Sequence, residues 1–231
     1  MRQKIASITQ WFSLPTVCIL CHHNHPKPVA ICEKCAILFQ RLENPCRYCN
    51  RPLPNNDFLL CGECLRNRPA FDRVITKYHF EGPLRTLLHE FKYLNALYLR
   101  TFLVQLMLES YDEELAHADC IIPIPLHKQR IRQRGFNQAA ELAKLLAQKL
   151  HIPYDTKICK KITNTLPQVG LGADERRKNL RHSFIAKTAP YRYVLLVDDL
   201  ITTGSTANEV SLVLKKQGVK RVDIWCCARA S

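Results

Sequence analysis

The sequence predicts an α/β fold, a parallel sheet with helices on both faces, preceded by a small cysteine-rich domain organised by metal. Three observations predict it. Short apolar runs, 120–125, 194–197 and 222–226, alternate with segments whose apolar residues recur at helical spacing, which is the pattern of strands joined by crossover helices. Four Cys-x-x-Cys pairs crowd the first third of the chain. Near residue 70 the texture changes: Arg66 to Ala70 reads as a linker, and long periodic segments begin at Phe71. The expected domains are therefore 1–70 and 71–231.

The first twenty residues carry two positive charges, but Gln3, Ser7, Gln10 and Ser13 interrupt their apolar residues, so no signal-peptide core forms. A short amphipathic helix packed on the cysteine-rich domain is the expectation. Nothing elsewhere approaches the roughly 20 apolar residues of a membrane helix, so membrane insertion is not expected. Twelve cysteines without an export signal point to metal ligation in a reducing cytosol and to a cytoplasmic protein. The net charge of +14 is spread over both parts, with nine basic and four acidic residues in 1–70 and 25 and 16 in 71–231. Such an excess favours polyanionic partners, although basic side chains also serve simply to solvate a surface.

Cys18/Cys21, Cys32/Cys35, Cys46/Cys49 and Cys61/Cys64 are separated by ten, ten and eleven residues. Zinc takes four thiolates tetrahedrally, and a two-residue gap lets one tight knuckle present two sulfurs to one ion. Two adjacent ribbons, one per consecutive pair of knuckles, with two structural zinc ions are the simplest arrangement. Interleaved pairing, or replacement of a sulfur by His22, His23 or His25, stays open. A closed four-sulfur site has no vacant coordination position, so its expected role is structural. Cys120, Cys159, Cys226 and Cys227 lie in or beside predicted strands and read as small buried residues.

In the second part, Leu84 to Met107 predicts two helices broken near Asn95. A strand at Cys120–Pro125 runs into a loop, and Asn137–Leu150 follows as a helix with Leu142, Leu145, Leu146 and Leu150 on one face. Val194–Val197 is a strand, Ser205–Gln217 a helix closed by Gly218, and Val222–Cys226 a third strand.

The stretch from Val194 to Thr206 joins a buried strand, two acids, a hydroxyl-rich turn with one glycine, and a helix start. The turn offers backbone N–H groups at the positive end of a helix, where a phosphate is favoured, and Thr202, Thr203, Ser205 and Thr206 add hydroxyls. Gly204 permits close approach of backbone to anion. Asp198 and Asp199, at the end of a strand, are placed to accept hydrogen bonds from vicinal sugar hydroxyls and to hold magnesium. A ligand that carries both a phosphate and a ribose suits this combination.

This pattern resembles the type I phosphoribosyltransferases, in which the loop binds the 5-phosphate of phosphoribosyl pyrophosphate (PRPP) and the acids contact the ribose. The resemblance assigns Asp198 and Asp199 to the acids and Thr202, Thr203, Gly204, Ser205 and Thr206 to the phosphate loop. The fold it implies is a type I phosphoribosyltransferase-like sheet domain preceded by the zinc ribbons. Tyr78-x-Phe-Glu-Gly-Pro-Leu-Arg85, Phe91-Lys-Tyr93, Ile122-Pro-Ile-Pro-Leu-His127, Arg134-Gly-Phe-Asn-Gln138 and Asp174-Glu-Arg-Arg-Lys-Asn179 narrow it to the ComF/GntX competence-protein family over nearly the whole chain. That resemblance implies a cytosolic protein of natural transformation, where incoming single-stranded DNA is received.

In the transferase resemblance the segment after the first sheet strand binds pyrophosphate, which makes Lys128, Arg132, Arg134, Asn137 and Gln138 its candidates, with Mg2+ on the PRPP. Residues 162–183 correspond to the loop that covers such sites, and Arg176, Arg177 and Lys178 would close over pyrophosphate or grip nucleic acid. Lys92 is a further candidate through the Lys-Tyr pattern. Three readings follow: a PRPP-binding competence protein that handles single-stranded DNA, a phosphoribosyltransferase of nucleotide salvage, and an adaptor whose ribbons dock a DNA-uptake helicase or channel.

Overall fold

A computed structural model of the chain describes residues 16–26, 30–163 and 182–230. They form two compact units, 1–39 and 40–231.

In the first unit, β1 (Thr16–Val17) and β2 (Asn24–His25) make a short antiparallel hairpin, and Glu33–Ala36 is a single helical turn, α1. The hairpin is a knuckle: His22 N donates to Cys18 O at 2.9 Å, and His22 takes the left-handed φ of 58° that closes the turn. The second unit opens with the same device. Asn50 N donates to Cys46 O at 2.9 Å with φ again 58°, and α2 (Gly62–Arg66) supplies the helical turn. In both, the second cysteine pair sits at a helix start, Cys32 and Cys61 being the residues just before α1 and α2. An alternation of knuckle and helical turn is what lets eleven-residue spacings bring four sulfurs to one point.

The second ribbon is stitched to the sheet that follows. Strand β3 (Arg73–Ile75) pairs on one side only, and on its open side Val74 N donates to Tyr48 O at 2.8 Å while the Asn50 amide donates to Thr76 O at 2.6 Å. The sheet order is β3-β8-β7-β4, all parallel, with β4 Cys120–Pro123, β7 Tyr193–Ile201 and β8 Arg221–Arg229. Beyond β4 the other edge is covered too, since Ile121 bonds Pro153 O and Asp155 N at 2.8 and 3.1 Å.

Helices α3 (Gly82–Tyr93) and α4 (Arg100–Leu108) are separated by Asn95, which adopts a left-handed φ of 54° at the expected break. Helix α5 spans Lys128–Arg134, α6 Gln138–Leu150 and α7 Ser205–Lys216. Alternation along the strands sets the two faces. Val194, Leu196, Val222 and Ile224 pack with Val210 and Leu214 of α7. Trp225 and Cys227 point the other way, where the indole Nε1 donates to Met107 O of α4 at 3.2 Å. Helix α6 joins α4 on that face.

Three features differ from the sequence expectation. Strand β7 continues through both acids instead of ending before them, because β8 runs on in register to Arg229 and keeps the ladder paired. The basic segment after β4 is a helix, not a loop: His127 accepts from Gln129 N at its start, and Gly135, with φ 82°, closes its end. A small antiparallel ribbon, β5 (Cys159–Lys161) with β6 (Phe184–Ala186), was not anticipated. No helix among the described residues is long and apolar enough to cross a membrane.

Candidate functional site

Parallel strands deliver their following loops to one edge, and a cleft of about 530 Å³ opens there. Its floor is the end of β7. Asp199 is buried in the sheet, and the Lys92 ammonium of α3 lies 2.8 Å from its Oδ2. Asp198 is half-buried and accepts, through Oδ1, from Asp199 N at 2.9 Å. Burial and the neighbouring carboxylate push the Asp198 carboxyl well above the usual carboxylate range. Burial acts on Asp199 in the same sense, but Lys92 overrides it and holds that carboxyl below its ordinary value. Both acids line the cleft, and their environments push them apart: Lys92 favours the ionised form of Asp199, whereas burial and that neighbour disfavour it for Asp198.

The loop beyond β7 forms the anion side. Gly204 adopts φ 78° and ψ 2°, a left-handed conformation that turns the chain into α7, and no side chain caps that helix start. Thr203 Oγ1 and Ser205 Oγ are 2.9 Å apart, and Ser205 N donates to Thr203 Oγ1 at 3.3 Å. First-turn N–H groups, hydroxyls and the positive end of a twelve-residue helix converge on the cleft.

Opposite lie the cations. The helical period of α5 puts Arg130 and Arg134, four residues apart, on the cleft. Lys128 and Arg132 share the other face and stay exposed, outside the cleft lining. Arg134 stacks over the Tyr93 ring at 5.0 Å and approaches Gln138 Oε1 at 3.4 Å. The Gln138 amide in turn donates to Lys92 O at 3.1 Å. Asn137 holds the chain leaving β4, donating to Ile124 O at 3.0 Å, and caps α6 by accepting from Ala139 N. Both amides line the cleft, but their bonds are spent on placing Arg134, Lys92 and the loop after β4.

Lys161 of β5 also lines the cleft, 5.5 Å above the Phe184 ring. Burial and the nearby Arg130 charge draw its pKa down to about 8. Neither Arg130 nor Lys161 stood out in the sequence. The four-residue spacing within 128–134 could have found the first, whereas nothing local marks the second. Arg176, Arg177 and Lys178 lie outside the described residues.

The eight cysteines gather as Cys18, Cys21, Cys32 and Cys35 and as Cys46, Cys49, Cys61 and Cys64, each set with its sulfurs within 4.8 Å of one another. The adjacent pairing is therefore the one adopted. Sulfur separations of 3.8 Å for Cys21–Cys32 and 3.6 Å for Cys49–Cys61 match the roughly 3.8 Å edge of a zinc tetrathiolate with bonds of about 2.3 Å. Both sets could hold zinc.

No family model matches the chain. It is 41% identical over 179 residues to competence protein F of Haemophilus influenzae, covering 74% of this chain and 78% of that protein. It is 31% identical over 232 residues to DNA utilization protein YhgH of Escherichia coli O157:H7, covering 94% and 98%. Among solved structures it is similar to orotate phosphoribosyltransferase from Aeropyrum pernix, with 17% identity and a TM-score of 0.38 over 59% of this chain and 74% of that one.

Proposed function

The chain belongs to the ComF/GntX competence-protein family, and on that premise we propose that it binds PRPP in the cleft and handles single-stranded DNA in the cytosol during natural transformation. One observation carries the ligand: a single cleft is lined by an ionisable carboxyl, Asp198, a helix-start hydroxyl loop, Thr202 to Thr206, and four cations, Lys92, Arg130, Arg134 and Lys161. A phosphorylated ribose with a pyrophosphate at its other end carries groups that suit each of these. Thr202 to Thr206 take the 5-phosphate, Asp198 the ribose hydroxyls, and Arg130 and Arg134 the pyrophosphate. Magnesium would be held by Asp198 together with ligand oxygens and would offset the pyrophosphate charge. Asp199 keeps Lys92 in place.

Calorimetric titration of magnesium-PRPP tests this reading beside the double variant Asp198→Asn/Asp199→Asn. Saturable binding by the native chain that is lost in the variant is expected. No heat and no competition by inorganic pyrophosphate in the native chain would sink it.

The DNA part rests on the relatives' names and on the net charge of +14. Affinity for a single-stranded oligonucleotide should fall steeply with salt, and Arg130→Ala/Arg134→Ala should flatten that slope. A salt-insensitive affinity would count against phosphate gripping. Transfer of the phosphoribosyl group to a nitrogen acceptor is a second reading, favoured by His89 in the cleft lining, a side chain able to take the acceptor's proton. Pyrophosphate release dependent on an added acceptor would establish it.

A further inference from the structure

We infer that Arg229 is a positioning residue that couples the second four-cysteine centre to the phosphate loop, so that a metal at one and an anion at the other strengthen each other's hold. The inference rests on the reading of Thr202 to Thr206 as an anion site.

Arg229 ends β8, and only 2% of it is exposed. Its backbone is pinned on both sides, Arg229 N donating to Tyr78 O and Phe80 N to Arg229 O, each at 2.9 Å. From that fixed base the guanidinium reaches two places at once. Nε donates to Cys49 O at 2.9 Å, the carbonyl of a residue in the second cysteine set. Nη1 donates to Thr202 O, the first residue of the phosphate loop, and to the flanking Ile201 O at 3.3 Å. A guanidinium is a rigid planar fork, so displacement of the Cys49 carbonyl is transmitted to Thr202 and the reverse.

Charge gives the link its strength. Among the described residues no carboxylate pairs with Arg229, which donates to the backbone carbonyls of Cys49, Ile201, Thr202 and Ala230 and also interacts with the Cys49 side chain. Four thiolates around a divalent ion retain a net charge of about two negative units, and Arg229 holds the carbonyl of Cys49, one of those four residues. A metal in the second centre therefore supplies a counter-charge that no carboxylate among the described residues provides there. Without it the cation is buried and unpaired, a costly state relieved by leaving the carbonyls of Ile201 and Thr202. The first centre lies in the other unit.

Two measurements on the full chain decide the matter. The first is amide hydrogen exchange across 202–206. Cys61→Ser/Cys64→Ser, which disables the second centre, should raise exchange there by about tenfold or more. Cys32→Ser/Cys35→Ser, which disables the first, should leave it unchanged. Equal exchange in both variants and the native chain overturns the coupling, and this arm needs no ligand. The second is the rate of zinc release to a chromogenic chelator with and without saturating magnesium-PRPP. Release from the second centre should slow roughly fivefold or more in the native chain, less in Arg229→Lys, and not at all in Arg229→Met. A merely structural arginine would change the release rate but not its dependence on PRPP, so the same slowing in Arg229→Met refutes the inference. Failure of PRPP to bind the native chain instead refutes the ligand reading and leaves the exchange arm to judge the link.

Discussion

At the scale of single residues, two cleft side chains titrate away from their ordinary ranges and in opposite directions of charge. Asp198 must lose its proton to meet a sugar hydroxyl or a cation, and its raised pKa delays that loss above the usual carboxylate range near 4. Lys161 must keep its proton to attract an anion, and it loses it through about pH 8. Affinity for magnesium-PRPP should therefore rise from acid toward neutral pH and fall again above about 8. In Lys161→Arg, whose guanidinium stays charged, the alkaline fall should move up by more than a pH unit, as calorimetry across a pH series would show. An unmoved alkaline limb would remove Lys161 from the site. Asp198, Asp199 and the loop after them were legible in the sequence because strand, turn and helix start follow one another within thirteen residues. Lys161 was not, since it is brought to the cleft by a three-residue strand whose antiparallel partner begins beyond residue 180.

Elements were legible where periodicity is long and illegible where pairing is distant. Helices α3, α6 and α7 carry their own apolar stripes, and α6 also carries its own cap, Asn137. Strand β3 is three residues long and is made a strand by β8, about 150 positions later. What fixes that pairing is largely Asp223, fully buried on β8, which accepts from Arg73 of β3, Tyr193 of β7 and Arg221, each at 2.8 Å. Three strands are tied by one carboxylate. Asp223→Ala should cost about 3 kcal/mol or more in urea unfolding, since it leaves partly buried donors without an acceptor. An effect below about 0.5 kcal/mol would mean that water replaces the carboxylate. Helix α5 shows the converse case: its register, not its charge count, selects Arg130 and Arg134 and turns Lys128 and Arg132 outward.

On the scale of the whole molecule, the cysteine spacing announced two four-cysteine sets able to hold metal but not their unequal placement. The first belongs to the unit 1–39, whereas the second is built into the unit that holds the cleft. The expected boundary near residue 70 falls just before β3, the strand against which the second ribbon bonds. That ribbon covers the outer side of β3, as residues 153–155 cover β4. In a metal-starved cell the second cover should come loose while the four-stranded sheet persists, and Val74 and Thr76 would then offer bare hydrogen-bonding groups to any extended chain nearby. Zinc limitation should accordingly be felt as aggregation before it is felt as unfolding: light scattering on chelator treatment should precede loss of far-ultraviolet circular dichroism, making zinc a guardian of solubility for this protein.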